Sequence, residues 1–196
     1  MKIFIYDNGY NLTNYVNAVK KCNCTPILTK NLIEHQFCDA LLLTGGGDIH
    51  PSFYGEPPLD YIYYNTQTDI SEMYLLNAFL KKNKQIIGVC KGMQVINVYF
   101  GGTLEYIYDP QLNNHYALNK DVKHIVFDNL KNKKIVNSSH KQRIKNLGYG
   151  LNIEERSKDG TIEAISHKKY KVYGVQYHPE RLSEYEMLSF YKKFFN

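Results

Sequence analysis

Gly88-Val89-Cys90-Lys91-Gly92 sets a cysteine between two glycines, each two residues away. This Gly-x-nucleophile-x-Gly spacing belongs to a sharp strand-to-helix turn that lifts a reactive side chain above the end of a sheet. A thiol placed there faces the unpaired N–H groups and positive dipole end of a helix, which stabilise a thiolate, the form that attacks carbonyl carbon. Most free cysteines are small buried hydrophobes. Here an apolar strand before, a helical pattern after, glycines on both flanks and a polar Lys91 next in line favour a nucleophile.

A cysteine nucleophile that cleaves amides needs a base that later protonates the leaving amine, and imidazole titrates in the right range. Of seven histidines, His178 follows an apolar strand and opens His178-Pro179-Glu180, where Pro179 has no N–H to donate and ends regular pairing. In extended chain, residues two apart share a side. His178 can then face the thiol while Glu180 approaches its other ring nitrogen and fixes tautomer and orientation, completing a triad with Cys90. His50, His115, His124 and His167 fall in loop-like or strand-edge stretches and read as solvated. No His-x-x-x-His or Cys-x-x-Cys spacing occurs, and Cys22-x-Cys24 has no nearby His, so neither a metal site nor a cofactor is expected.

The elements that must position these residues alternate. Lys2 to Tyr6 reads as a strand, followed by a helix with Asn11 as N-cap and Leu12, Tyr15, Val16 and Val19 on one face. Thr25 to Leu28 and Ala40 to Thr44 are further strands, the second running into Gly45-Gly46-Gly47. From Asp69 the pattern turns helical, with Asp69 and Glu72 as a capping pair and Ile70, Met73, Leu76 and Leu80 as the inner face. Ile86 to Val89 is a strand ending at Cys90, and Lys91 to Phe100 a helix closed by Gly101 and Gly102. Later strands are expected at 125–127, 135–136, 162–165 and 172–176, and a final helix carries Met187, Phe190, Tyr191, Phe194 and Phe195 on one face. The expected fold is α/β: an open, mostly parallel sheet covered by helices on both faces, with a more β-rich C-terminal half.

The chain has 196 residues, enough for one sizeable core, and residues 1–196 read as a single domain. Its formal charge is +5 and its lysines are dispersed, which argues against a dedicated nucleic-acid surface. Four cysteines without a framework spacing, the absence of a signal-peptide pattern and apolar runs far short of a membrane span make the cytoplasm the expected location.

Four blocks now resemble the class I glutamine amidotransferases, and within them the peptidase C26 branch that includes γ-glutamyl-γ-aminobutyrate hydrolases. They are Leu43-Thr44-Gly45-Gly46-Gly47-Asp48-Ile49-His50-Pro51 with Tyr54-Gly55-Glu56, Gly88 to Gln94, Asn137-Ser138-Ser139-His140-Lys141-Gln142, and Gly174 to Glu180. Phe100-Gly101-Gly102-Thr103-Leu104 and Asp159 to Ala164 are similar to further blocks of that branch. The resemblance implies a flavodoxin-like fold, the triad Cys90, His178 and Glu180, and an oxyanion hole built from backbone N–H groups of Gly45, Gly46 and Lys91. It places Gln94, Ser138, Ser139 and His140 near the glutamyl end of the substrate, with helix and strand packing a fair alternative reading of Gln94 and Ser138. Lys91 stands where the family often has Arg, Thr44 where it often has Pro, and Glu105-Tyr106 where Gln-Asp is common.

The implied activity is hydrolysis of the γ-glutamyl amide bond of a small compound through a thioester, with no cofactor. The short, Asn- and Lys-rich chain also looks like a γ-glutamyl-CDP-amidate hydrolase of capsular phosphoramidate synthesis. The same triad would serve a glutaminase subunit that delivers ammonia to a synthase partner, and a homo-oligomer is equally open. A catalytically silent binding protein on the same fold is the reading from another class. The spacing of Gly45-Gly46-Gly47 is not that of a dinucleotide fingerprint.

Overall fold

The computed structural model describes residues 1–60, 62–107, 115 and 121–195. The N-terminal half alternates as the sequence predicts: β1 Lys2–Tyr6, α1 Thr13–Lys21, β2 Thr25–Thr29, β3 Ala40–Leu43, α2 Thr66–Lys81, β4 Gln85–Val89 and α3 Lys91–Tyr99. The C-terminal half is mostly strand: β5 Thr103–Tyr106, β6 Val122–Asp128, β7 Lys133–Ser138, β8 Gln142–Asn146, β9 Leu151–Ser157, β10 Ile162–His167 and β11 Val172–Val175, closed by α4 Glu184–Tyr191. Among the described residues, nine strands form one mixed sheet in the order β2-β1-β3-β4-β11-β10-β9-β6-β7, while β5 and β8 pair separately. The strands from β2 to β11 run parallel. From β11 onward neighbours are antiparallel.

Continuous apolar runs mark strands buried on both faces. Ile3, Ile5, Ala40, Leu42, Ile87 and Val89 point to one face, packing with Tyr15, Ala18 and Val19 of α1 and Met187 and Tyr191 of α4. Phe4, Leu41, Leu43 and Ile86 point to the other, against Leu75, Leu76 and Phe79 of α2 and Met93 and Ile96 of α3. No helix of the described residues is long and apolar enough to cross a membrane.

Several sequence readings change, beginning with α1, whose N-cap is Leu12 and not Asn11. β5, β8 and β9 escape the sequence pattern because segments such as Gln142–Asn146 (QRIKN) and Leu151–Ser157 (LNIEERS) are too polar to show strand alternation. Helix α2 starts at Thr66, not Asp69, with the Asn65 side chain accepting the Thr68 N–H at 3.1 Å. Its inner face is also rotated: Ile70 is 51% exposed, while Asp69 and Glu72 are buried and do not cap. The cause is Lys91 on α3, whose ammonium meets Asp69 Oδ1 at 2.8 Å and Glu72 Oε2 at 2.7 Å, drawing both acids inward.

The elbow itself rests on close packing. A Cβ on Gly92 would stand 2.2 Å from the Leu43 carbonyl oxygen, and one on Gly88 2.6 Å from Gly92 backbone. Gly92→Ala is therefore expected to push α3 away from β3 and to lower stability by about 1–3 kcal/mol, read as a fall in the urea midpoint at unchanged m-value.

Candidate active site

Cys90 joins β4 to α3 with φ 53° and ψ −108°, a conformation L-residues rarely adopt. Its N–H is held by the Val175 carbonyl at 2.8 Å and its carbonyl accepts from Met93 and Gln94. The main chain thus locks the turn that presents the thiol. The pairing of β11 with β4 then sets the next segment beside it, Val175 opposite Val89. Gln176, just past β11, brings its amide to 3.6 Å from Cys90 Sγ, and Gln94 Nε2 donates to Gln176 Oε1 at 3.1 Å.

His178 lies two residues further on and is buried. Its backbone is clamped from β7: the His178 N–H donates to Asn137 Oδ1 at 2.8 Å, and Asn137 Nδ2 donates to the His178 carbonyl at 2.9 Å. His178 Nδ1 meets Glu180 Oε1 at 2.8 Å, and the ring lies near enough to Cys90 for the two to interact electrostatically. Burial alone would lower the imidazole pKa, but the interactions with Cys90 and Glu180 outweigh it and raise it to about 10. This arrangement favours an imidazolium beside a sulfur, with a carboxylate fixing the far nitrogen. Cys90, His178 and Glu180 are therefore brought together.

The predicted oxyanion groups divide. Gly46 and Lys91 line the same cavity as Cys90, and the Lys91 N–H is a first-turn donor with no intrahelical acceptor. Gly45 is turned inward: its N–H donates to the Tyr15 hydroxyl at 2.9 Å, and a Cβ there would stand 2.8 Å from that oxygen and 3.0 Å from His178 Cε1. With its donor engaged, Gly45 supplies packing room rather than an oxyanion contact. Tyr15, which sequence reasoning placed only on the core face of α1, also lies 3.3 Å from His178 Nδ1.

The cavity over Cys90 has a volume of about 400 Å³. Gln94, Ser139 and His140 reach it; Ser138 lies behind, fully buried, its hydroxyl 3.4 Å from His115 Nδ1. Burial, then His115, hold His140 well below the ordinary histidine range, so its ring is neutral at neutral pH. The cavity also contains Asp48, whose carboxyl is pushed up by burial against the pull of Lys141, and Lys141 itself. Gln142 ties the glycine loop to this wall, accepting the Ile49 N–H at 3.1 Å and donating to the Tyr54 hydroxyl at 3.0 Å. Asp48, Gln142, Asn137 and Gln176 all fall inside blocks visible in the sequence; only their contacts assign them a part.

The Lys91 ammonium is engaged by the two acids of α2. Burial would lower its pKa, but Glu72 and Asp69 raise it; burial likewise raises that of Glu72. Asp69 Oδ2 also accepts the His50 N–H at 3.1 Å, so one carboxylate joins the loop after Gly47 to the elbow. Of the other histidines read as solvated, the His115 and His124 side chains are instead buried, at 1% and 8% exposure, against Glu163. His167 packs on Phe100 and Tyr170.

The peptidase C26 family model matches residues 5–180. The chain is 37% identical over 208 residues to the glutamine amidotransferase-like protein YvdE of Lactococcus lactis, covering 95% of this chain and 86% of that one. It is 31% identical over 178 residues to the γ-glutamyl-CDP-amidate hydrolase of Campylobacter jejuni, covering 89% and 80%. Its fold is shared with the crystal structure of a GMP synthase-type protein from Thermoplasma acidophilum, with TM-score 0.68, 21% identity and coverage of 98% and 91%. The protein belongs to the peptidase C26 family, whose relatives include glutamine amidotransferase-like proteins and a γ-glutamyl hydrolase.

Two outcomes are expected. Removing the Lys91 charge leaves two buried acids unpaired, so Lys91→Met should cost about 3–5 kcal/mol in urea unfolding while Lys91→Arg costs less. By NMR, His178 should titrate near pH 10 in the native chain and at lower pH in Cys90→Ser. Because its folded pKa lies above the unfolded 6.5, the stability it contributes is full below pH 6.5 and is lost as pH rises toward 10.

Proposed function

We propose that the protein hydrolyses the γ-glutamyl amide bond of a small compound, with Cys90 as nucleophile and His178 and Glu180 as its acid–base pair. The observation that carries this is the buried His178, held by Glu180 at 2.8 Å and near enough to Cys90 to feel its charge, beside a cavity that Cys90 lines together with groups of both charge signs. Cys90 Sγ attacks the side-chain carbonyl carbon, and the oxygen gains negative charge beside the Lys91 and Gly46 N–H groups. A donor held ready for that charge contributes about 3 kcal/mol. As the C–N bond breaks, the His178 imidazolium protonates the leaving amine and leaves a thioester on Cys90. Water then gives a proton to neutral His178 and attacks the thioester, releasing glutamate and restoring the thiolate–imidazolium pair.

The raised His178 pKa supports this order, because the proton needed by the leaving amine is already on the ring before attack. Asp48 and Lys141 offer opposite charges to a zwitterionic glutamyl group, and Gln94, Ser139 and His140 offer polar contacts beside them. The likeness to the γ-glutamyl-CDP-amidate hydrolase supports γ-glutamyl-CDP-amidate as the particular substrate to try first.

The test is glutamate release by the purified chain alone, from L-glutamine and a panel of γ-glutamyl amides including γ-glutamyl-CDP-amidate. Turnover of one amide is expected, falling at least ~10³-fold in Cys90→Ser and roughly 10²- to 10⁴-fold in Glu180→Gln. Silence on every amide would favour a glutaminase that works only with a synthase partner, and undiminished activity in Cys90→Ser would overturn the mechanism.

A further inference from the structure

Behind the Ser138–His140 segment, His124 of β6 and Glu163 of β10 meet His115 and Asp159 in a group of imidazoles and carboxylates that the proposed chemistry does not use. Glu163 on β10 is fully buried, and its Oε1 lies 3.0 Å from His124 Nε2 and 3.4 Å from His115 Nδ1. One ligand atom from each of these three residues lies within 4.8 Å of the others. Glu163 Oε2 and His124 Nδ1 find no hydrogen-bond partner among the described residues. The other nitrogen of His115 is engaged: Nε2 meets Asp159 Oδ2 at 2.8 Å. Asp159 is itself anchored by the Ser157 hydroxyl and by the Thr161 N–H at 3.0 Å.

With His115 Nε2–H donating to Asp159, the ring leaves the lone pair of Nδ1 facing the Glu163 oxygen and the Ser138 hydroxyl. Two acceptors facing each other at 3.4 Å in a buried site repel unless a cation lies between them. The donors here are two imidazole nitrogens and one carboxylate oxygen, the set that suits zinc-like ions. Donors about 2 Å from a tetrahedral ion stand roughly 3.3 Å apart. The contacts of 3.0 and 3.4 Å lie on either side of that value. A metal-bound histidine commonly gives its second N–H to a carboxylate, the part Asp159 plays here.

We propose that His115, His124 and Glu163 bind a divalent transition ion of the Zn²⁺ class, with the Ser138 hydroxyl or a water as fourth ligand and Asp159 orienting His115. This departs from the metal-free expectation raised by sequence spacing, because Glu163 joins His115 and His124 from a strand distant in sequence. The ion is a structural one in this reading. The His140 N–H donates to the His115 carbonyl at 2.9 Å, so a fixed His115 holds in place the segment that brings Ser139 and His140 to the cavity.

The experiment uses the full chain as Cys90→Ser, which removes the thiol as a competing ligand and makes the readout independent of the proposed activity. After chelator treatment, Co²⁺ should bind at one equivalent, giving visible d–d bands without thiolate charge transfer. A hundredfold excess of Zn²⁺ over Kd should raise the melting temperature by roughly 5 °C or more. In the same background, His124→Asn and Glu163→Gln should weaken binding at least tenfold. Imidazole NMR serves if either variant misfolds: Zn²⁺ should shift His115 and His124 and leave His35 and His167 in place. Absent Co²⁺ bands with an unmoved melting point, or binding retained in both variants, would overturn the site and leave a proton-shared histidine–carboxylate network in its place.

Discussion

Everything about the site depends on a single backbone turn that a non-glycine residue would not choose. Cys90 sits at φ 53°, ψ −108°, and such a conformation persists only where its surroundings over-determine it. Those surroundings are identifiable: the Cys90 N–H is tied to Val175 and its carbonyl to the first turn of α3. Gly88 and Gly92 let that helix settle against β3 and β4 with no space for a side chain. A strand that ended one residue earlier, or a helix one methyl further out, would turn the thiol away from the cavity.

Around the turn, the fold uses buried polar groups as connectors rather than as isolated costs. Asp69 binds both the Lys91 ammonium and the His50 N–H, coupling α2, the elbow and the loop after Gly47. Asn137 couples β7 to His178 with two hydrogen bonds, and Gln142 couples the separate β5–β8 ribbon to the loop at Ile49. Leaving one such partner unpaired is costly in a low-dielectric interior. These links give the cavity a defined shape without a larger apolar core.

The two halves of the sheet divide the work accordingly. The parallel half sets Cys90 at the end of β4, with α1 and α3 behind it. The antiparallel half supplies Asn137, the Ser139–His140 segment and the histidine–carboxylate cluster with Glu163. Strand β11 is the seam between them: parallel to β4, antiparallel to β10, and continuous with Gln176, His178 and Glu180.

What could be read along the chain was local. The apolar runs of β1, β3 and β4, the Gly-x-Cys-x-Gly turn and His178-Pro179-Glu180 announce themselves because strand burial, tight turns and residues two apart are short-range properties. The parallel sheet, the elbow and the grouping of Cys90, His178 and Glu180 follow from them. The polar strands β5, β8 and β9 carried no alternation to read. The inner face of α2 was misread because Lys91, distant in sequence, draws Asp69 and Glu72 inside in place of Ile70. The engagement of the Gly45 N–H with Tyr15, the placing of Ser138 behind the cavity and the burial of His115 and His124 against Glu163 are likewise long-range. Each is a hydrogen bond or ion pair between segments that no periodicity relates, so only the folded chain decides it.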